Sequence, residues 1–150
     1  MTEKTYSCLI EAAKQQGINR YVVGAIIEKD SKVLILQRTK DDFMGGIYEL
    51  PSGEVDAGES LNVALYREVL EETGLQVENI KIYLGYFDYQ SKSGKVTRQF
   101  NFVVTVMEPL EIMLEDHDNY VWIEKKQQDQ YFVTDSVKNV LSSFWAIFNQ

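Results

Sequence analysis

Glu68, Glu71 and Glu72 are crowded into one short stretch beside Arg67, and clustered carboxylates are the side chains that bind a hard divalent cation or carry a proton. On a helix each residue turns about 100 degrees and rises about 1.5 Å, so the three acids fall within an arc of about 100 degrees and a rise of about 6 Å. Like charges so placed destabilise a helix by about a few tenths of a kcal/mol per pair. Arg67 can pair with a neighbour but cannot neutralise three carboxylates. The acids also stand toward the C-terminal half of their helix, where the dipole does not favour negative charge. A divalent cation would resolve both penalties, and magnesium suits carboxylates supplemented by water and backbone oxygen. Spacing alone favours the plainer reading of a solvated acidic face, because glutamate is a good helix former.

The element that must hold these acids reads as a helix from Ser60 to near Thr73. Ser60 can cap its first turn, Leu61, Ala64, Leu65 and Val69 recur at helical spacing, and Gly74 suits the left-handed position after the last turn. Ahead of it, Arg38 to Gly58 is punctuated by glycines, Pro51 and aspartates, which predicts loop with short strand fragments. So long an irregular stretch points to a binding role. Tyr21 to Ile27 and Val33 to Gln37 read as strands of a hairpin joined by the polar turn Glu28 to Lys32. Ile80 to Tyr89, Thr97 to Met107 and Tyr120 to Ile123 read as further strands, with a turn at Ser91 to Lys95. Helices are expected from Tyr6 to Gln16 and from about Asp135 to Phe148, where Val137, Val140, Leu141, Phe144, Trp145 and Phe148 share one side. The order describes an α/β fold, a mixed sheet with helices packed against it, in one domain spanning 1–150.

Composition narrows the chemistry. The chain has 150 residues, 45% hydrophobic and 25% charged, which fits a folded domain that buries its own core. Cys8 is the single cysteine and His117 the single histidine, so a catalytic metal would need mainly oxygen ligands. A formal net charge of -8 without a basic stripe argues against duplex nucleic acid, while a small nucleotide remains compatible because divalent ions and one or two arginines neutralise a diphosphate locally. No long apolar run suggests a membrane span or a leader peptide, so the cytoplasm is the simplest location.

The segment Gly53 to Leu75, GEVDAGESLNVALYREVLEETGL, resembles the signature of the Nudix (MutT-like) hydrolases. Gly53, Glu59, Arg67, Glu68, Val69, Glu71, Glu72, Gly74 and Leu75 stand at its fixed places without gap or substitution. VLILQR, GGIYELPSGEVDAGE and the later EDHDNYVWI are similar to flanking segments of that family. Ser52 stands where many members have glycine, which disfavours the best known nucleotide-pool-cleaning subgroup.

The resemblance implies an α/β/α sandwich with a mixed β-sheet, and attack by water on phosphorus in a nucleoside diphosphate linked to another group. It implies magnesium, with manganese as a substitute, held by Glu68, Glu71, Glu72 and the Gly53 carbonyl. Glu68 would be a third ligand or the base, and Glu59 and Arg67 would fix the loop against the helix. Some members take the base from a later loop, which makes Glu115 and Asp116 candidates beside the reading of an ordinary polar turn. His117, in that charged turn, is expected to be solvated. For substrate, Arg38 could meet phosphate, with Arg98 less favoured, and Phe43 or Tyr48 could stack on a base. Phe100 and Phe102 share a strand face that reads as core. The favoured substrate is a nucleoside triphosphate, split to monophosphate and pyrophosphate. ADP-ribose or a nucleotide sugar is the alternative, and a noncatalytic nucleotide-binding domain the reading from another class. A homodimer would be compatible with any of these.

Overall fold

The computed structural model describes residues 1–148, which form three α-helices and a seven-stranded sheet. In chain order these are α1 (Glu3–Gln15), β1 (Arg20–Lys29), β2 (Lys32–Arg38), β3 (Tyr48–Glu49), β4 (Ser52–Glu54), α2 (Leu61–Thr73), β5 (Val77–Gln90), β6 (Val96–Val106), β7 (His117–Ile123), a 3-10 helix (Lys125–Gln130) and α3 (Asp135–Phe148). The main path of the sheet runs β3-β2-β1-β6-β5, with β7 added to β2 and β4 to β1. Among the described residues only β1 and β6 pair in parallel; the other pairings are antiparallel.

The sheet is covered on both faces, as an α/β/α sandwich. Strand residues alternate between faces. Ala25, Ile27, Leu34, Leu36, Phe100 and Phe102 pack with Tyr6 and Ala13 of α1 and with Leu61, Ala64, Leu65 and Val69 of α2. Ile26, Val33, Ile35, Val103 and Ile123 pack instead with Val137, Val140, Leu141 and Phe144 of α3. Phe100 and Phe102 are therefore core, fully buried.

Several boundaries differ from the sequence reading for local reasons. Helix α1 begins three residues before Tyr6, because Thr2 caps it by accepting a hydrogen bond from the Thr5 amide. The β1–β2 strands run closer together than the polar stretch Glu28 to Lys32 suggested: Asp30 and Ser31 both adopt positive φ, the geometry of a two-residue turn that follows the strand twist. Ser60 sits at the N-cap of α2, but its hydroxyl donates to Asn62 Oδ1 and makes no capping bond to backbone. Gly74 does take the left-handed conformation, and its amide bonds the Leu70 carbonyl. Among the described residues, no helix is long and apolar enough to cross a membrane.

Strand β1 is what places the site. Its C-terminal end pairs with β2 while its first half pairs with β4 in the register Val22–Glu54, Val23–Gly53 and Gly24–Ser52. The chain between β2 and α2 is thus pinned to the sheet centre, with Ser52 and Gly53 under the carboxylate face of α2.

Candidate active site

Arg67 organises the loop ahead of α2. Its Nε and Nη2 donate to the two oxygens of Glu59, both at 2.8 Å, in a forked bridge. Nη2 also donates to the Glu54 carbonyl at 2.9 Å, and Nη1 to Glu68 at 2.7 Å and Glu71 at 3.2 Å. The guanidinium hydrogen bond, aided by the Asp56 amide, holds the Glu59 carboxyl below its ordinary range. One arginine therefore ties three signature acids and a strand carbonyl together, which is positioning by a planar donor array.

Glu68 and Glu72 point back at β4. The Glu68 carboxylate lies so close over Gly53 that a Cβ there would overlap it, so only glycine allows this approach. Burial raises the Glu68 pKa against the pull of Arg67. Glu72 Oε1 accepts the Ser52 amide at 2.7 Å, yet desolvation outweighs that bond and pushes its pKa up to about 7. Glu71 is exposed apart from its contact with Arg67.

His117 is not solvated: its side chain is only 4% exposed. Nε2 lies 2.7 Å from Glu49 Oε2, and Nδ1 faces Glu72 Oε2 at 3.6 Å without a hydrogen-bond partner. Burial opposes its charged form, but Glu49 and Glu72 outweigh that and raise the pKa. Glu115 and Asp116, just before it, are exposed, and neither makes a hydrogen bond or ion pair among the described residues.

Beside Ser52 and Gly53 opens a cavity of about 530 Å3, bounded by the loop carrying Phe43 and Met44, the β5–β6 turn and the start of α3. Arg38, Phe43 and Tyr48 all line it, as do Phe87, an aromatic also available by sequence, and Arg20 and Gln99, which carried no substrate signal there. Arg38 is already engaged, donating to Glu49 at 2.8 Å and to the Phe43 carbonyl at 2.8 Å. Tyr48 packs edge-on against Tyr131. Arg98 lies elsewhere, buried in a bidentate pair with Asp88 and stacked on Tyr86, so it is not available to phosphate.

The NUDIX domain model matches residues 18–134. The chain belongs to the Nudix family. The chemistry of that family is hydrolysis of phosphoanhydrides, and the family is generally magnesium-dependent. It is 43% identical over 65 residues to an ADP-ribose pyrophosphatase of Methanocaldococcus jannaschii, a match covering 43% of this chain and 37% of that protein. It is 29% identical over 126 residues to a CTP pyrophosphohydrolase of Escherichia coli, covering 84% of this chain and 91% of that one. Among solved structures, that of the E. coli ORF135 protein aligns with a TM-score of 0.72 at 27% identity, covering 89% of this chain and 93% of the other. The Nudix chain thus spans well under half of the first relative and most of the other two.

Fit to a divalent cation can be tested on the side chains themselves. Among the described residues, no three carboxylate, imidazole or thiolate groups converge closely enough to form a closed site, because Arg67 draws Glu68 and Glu71 toward itself. The donor chemistry nevertheless fits: all oxygen, with Glu68 packed on Gly53 and with a largely buried Glu72 whose desolvation outweighs both the Ser52 amide and His117.

Proposed function

We propose that this Nudix chain, acting as one domain over 1–150, is a magnesium-dependent pyrophosphohydrolase that splits a nucleoside triphosphate into monophosphate and pyrophosphate. The observation that carries the reading is the adjacency of two unlike environments: an acidic face over Gly53, and a cavity of about 530 Å3 opening at the same residue with arginines and aromatic rings in its walls. A triphosphate needs both, a place for its charge and a place for its base. Near full-length similarity to a CTP pyrophosphohydrolase supports the triphosphate over ADP-ribose or a nucleotide sugar, since the match to the ADP-ribose pyrophosphatase is confined to a shorter segment.

Glu68, Glu71, Glu72 and the Gly53 carbonyl would hold magnesium, for which manganese can substitute. When bound, the cation withdraws charge from phosphate oxygens and makes water a better nucleophile. The chain's own residues do the rest. Arg38 faces the phosphates and Phe43 or Tyr48 the base. Arg67 and Glu59 hold the acids in register, which matters because small displacements of reacting groups are costly. Where Glu68 serves as the base rather than as a third ligand, it takes the proton as water forms the new P–O bond and the anhydride P–O bond breaks toward pyrophosphate. Its approach to Gly53 favours it over exposed Glu115 and Asp116. The net negative surface disfavours duplex nucleic acid as substrate, a cytoplasmic setting suits a nucleotide substrate, and a homodimer is compatible with the reading.

The test is pyrophosphate or phosphate release from nucleoside triphosphates, ADP-ribose, nucleotide sugars and dinucleoside polyphosphates, with magnesium and with chelator. Fastest magnesium-dependent release of pyrophosphate from a triphosphate is expected. Faster cleavage of ADP-ribose would overturn the substrate choice, and turnover in chelator would overturn the metal.

A further inference from the structure

The β2–β7 pairing contains an irregularity whose effect is to turn His117 inward. Trp122 faces Leu34, Tyr120 faces Leu36 and Asn119 faces Gln37, but Arg38 then faces His117 rather than Asp118. Strand residues that face one another share a side of the sheet. Leu34 and Leu36 belong to the α2 side, as does Glu49, opposite Leu36. Without the extra residue, Asp118 would stand opposite Arg38 and His117 would point toward α3. A bulge of this kind re-aims one side chain, and here it brings the sole histidine under α2.

The imidazole then stands between two carboxylates, one at each nitrogen. On the Nε2 side, Glu49 passes the contact to Arg38, whose Nη1 holds the Phe43 carbonyl of the loop that walls the cavity. On the Nδ1 side, Glu72 Oε2 is 3.6 Å away, longer than a hydrogen bond, while its other oxygen is fixed by the Ser52 amide. Nδ1 is buried and has no other partner, so a small swing of Glu72 is what satisfies it. A buried polar atom left unmatched is costly, and this one is aimed at a carboxylate rather than at apolar core.

We propose that His117 is a positioning residue that clamps Glu72 through Nδ1 and, separately, the cavity loop through Nε2, Glu49 and Arg38. The proposal rests on the reading that Glu72 holds magnesium and the cavity takes substrate.

The two nitrogens can be tested apart, because the amide nitrogen of asparagine reaches where Nδ1 lies and that of glutamine where Nε2 lies. Magnesium binding to the metal-free protein is measured by calorimetry, and KM for the best nucleotide at saturating magnesium, after melting curves show each variant folded. His117→Gln should weaken magnesium binding about tenfold, as loss of a ligand's supporting partner does, with KM near wild type. His117→Asn should leave magnesium binding near wild type and raise KM at least about tenfold, the effect of losing one hydrogen bond to a charged group. Equal shifts in both variants, or none in either, would overturn the clamp. Where the His117 variants do not fold, Glu49→Gln carries the test: KM should rise with magnesium affinity unchanged, and a parallel loss of both would overturn it. Glu72→Gln is the control: if it binds magnesium as wild type does, the metal assignment fails and the clamp with it, whereas lost binding there with parallel His117 shifts sinks the clamp alone.

Discussion

The two ends of the acidic face on α2 are built on opposite terms. At one end, Glu59, Glu68 and Glu71 share the Arg67 guanidinium, and a carboxylate there is matched before any ligand arrives. At the other, Glu72 is largely buried, its side chain 15% exposed, beside a backbone amide and an imidazole that stops short of it. The matched end fixes geometry; the unmatched end is where a cation is missed most. Rigidity and affinity are thus assigned to different residues of one signature, Glu59 standing just ahead of α2 and the other three acids on it.

Glu72→Gln should show that contrast most sharply. Activity should fall at least about a hundredfold if Glu72 holds magnesium, since that ion supplies several kcal/mol of charge stabilisation. Yet the metal-free variant should be more stable than wild type at pH 8, by up to roughly 3 kcal/mol, because the amide removes a buried charge whose pKa had been pushed to about 7. Initial rates and denaturant melts in chelator check the two halves. Equal stability at pH 8 would mean that Glu72 is better solvated than its burial indicates.

Arg67→Lys breaks the matched end instead. A lysine cannot reproduce the fork to Glu59 while reaching the Glu54 carbonyl and Glu68. Activity should drop about tenfold and stability by roughly 1–3 kcal/mol, in the range for lost hydrogen bonds to charged partners. Activity and stability should fall together here, whereas they part company at Glu72. A variant that loses activity with an unchanged melting curve would show that Arg67 acts on substrate rather than on the loop.

What could be read in the sequence follows the same division. Arg67, Glu59 and the acids of α2 lie on one local stretch, so helical spacing and the signature suffice to bring them together. Gly53 could be paired with Glu68 only through that resemblance; the steric reason appears once β4 lies under α2. His117 and Glu49 were illegible because their meeting depends on β7 pairing with β2 out of simple alternation, a register that no local pattern encodes. Arg98 misled for the complementary reason. Its partner Asp88 is on the neighbouring strand, and a cross-strand pair looks in sequence like two separate solvated charges.

The third expectation concerns pH. Burial raises the folded pKa of Glu72 above its unfolded value, so its contribution to metal-free stability is fully present below about pH 4.5 and is lost as pH rises through about 7. His117 is also raised, against the opposing effect of burial, so its contribution is present below its ordinary range and is lost above it. Metal-free stability should therefore decline from pH 5 to 8, while magnesium affinity climbs over the same interval as Glu72 sheds the proton that competes with the ion. Magnesium calorimetry in two buffers of different ionisation heat should show about one proton released per ion at pH 6 and close to none at pH 8. Release that stayed constant across the interval would remove Glu72 from the binding event.

The smallest effect belongs to the cavity wall. Phe43 is 56% exposed, and what Arg38 grips is its carbonyl rather than its ring. Phe43→Ala keeps that carbonyl and the loop's other tethers, the bond from Gln37 to the Gly46 carbonyl and the backbone bonds of Arg38 with Gly46 and Ile47 among them, so stability should change by no more than about 0.5 kcal/mol. If the ring stacks on a base, KM for a nucleoside triphosphate should rise about fivefold, the lower end of what such stacking contributes. Inhibition by inorganic tripolyphosphate, which offers the same charge and no base, should stay at the wild-type level. A rise in both would mean that the substitution had loosened Arg38 and hence the phosphate end. A rise in neither would pass the stacking role to Tyr48, whose ring is already held edge-on by Tyr131.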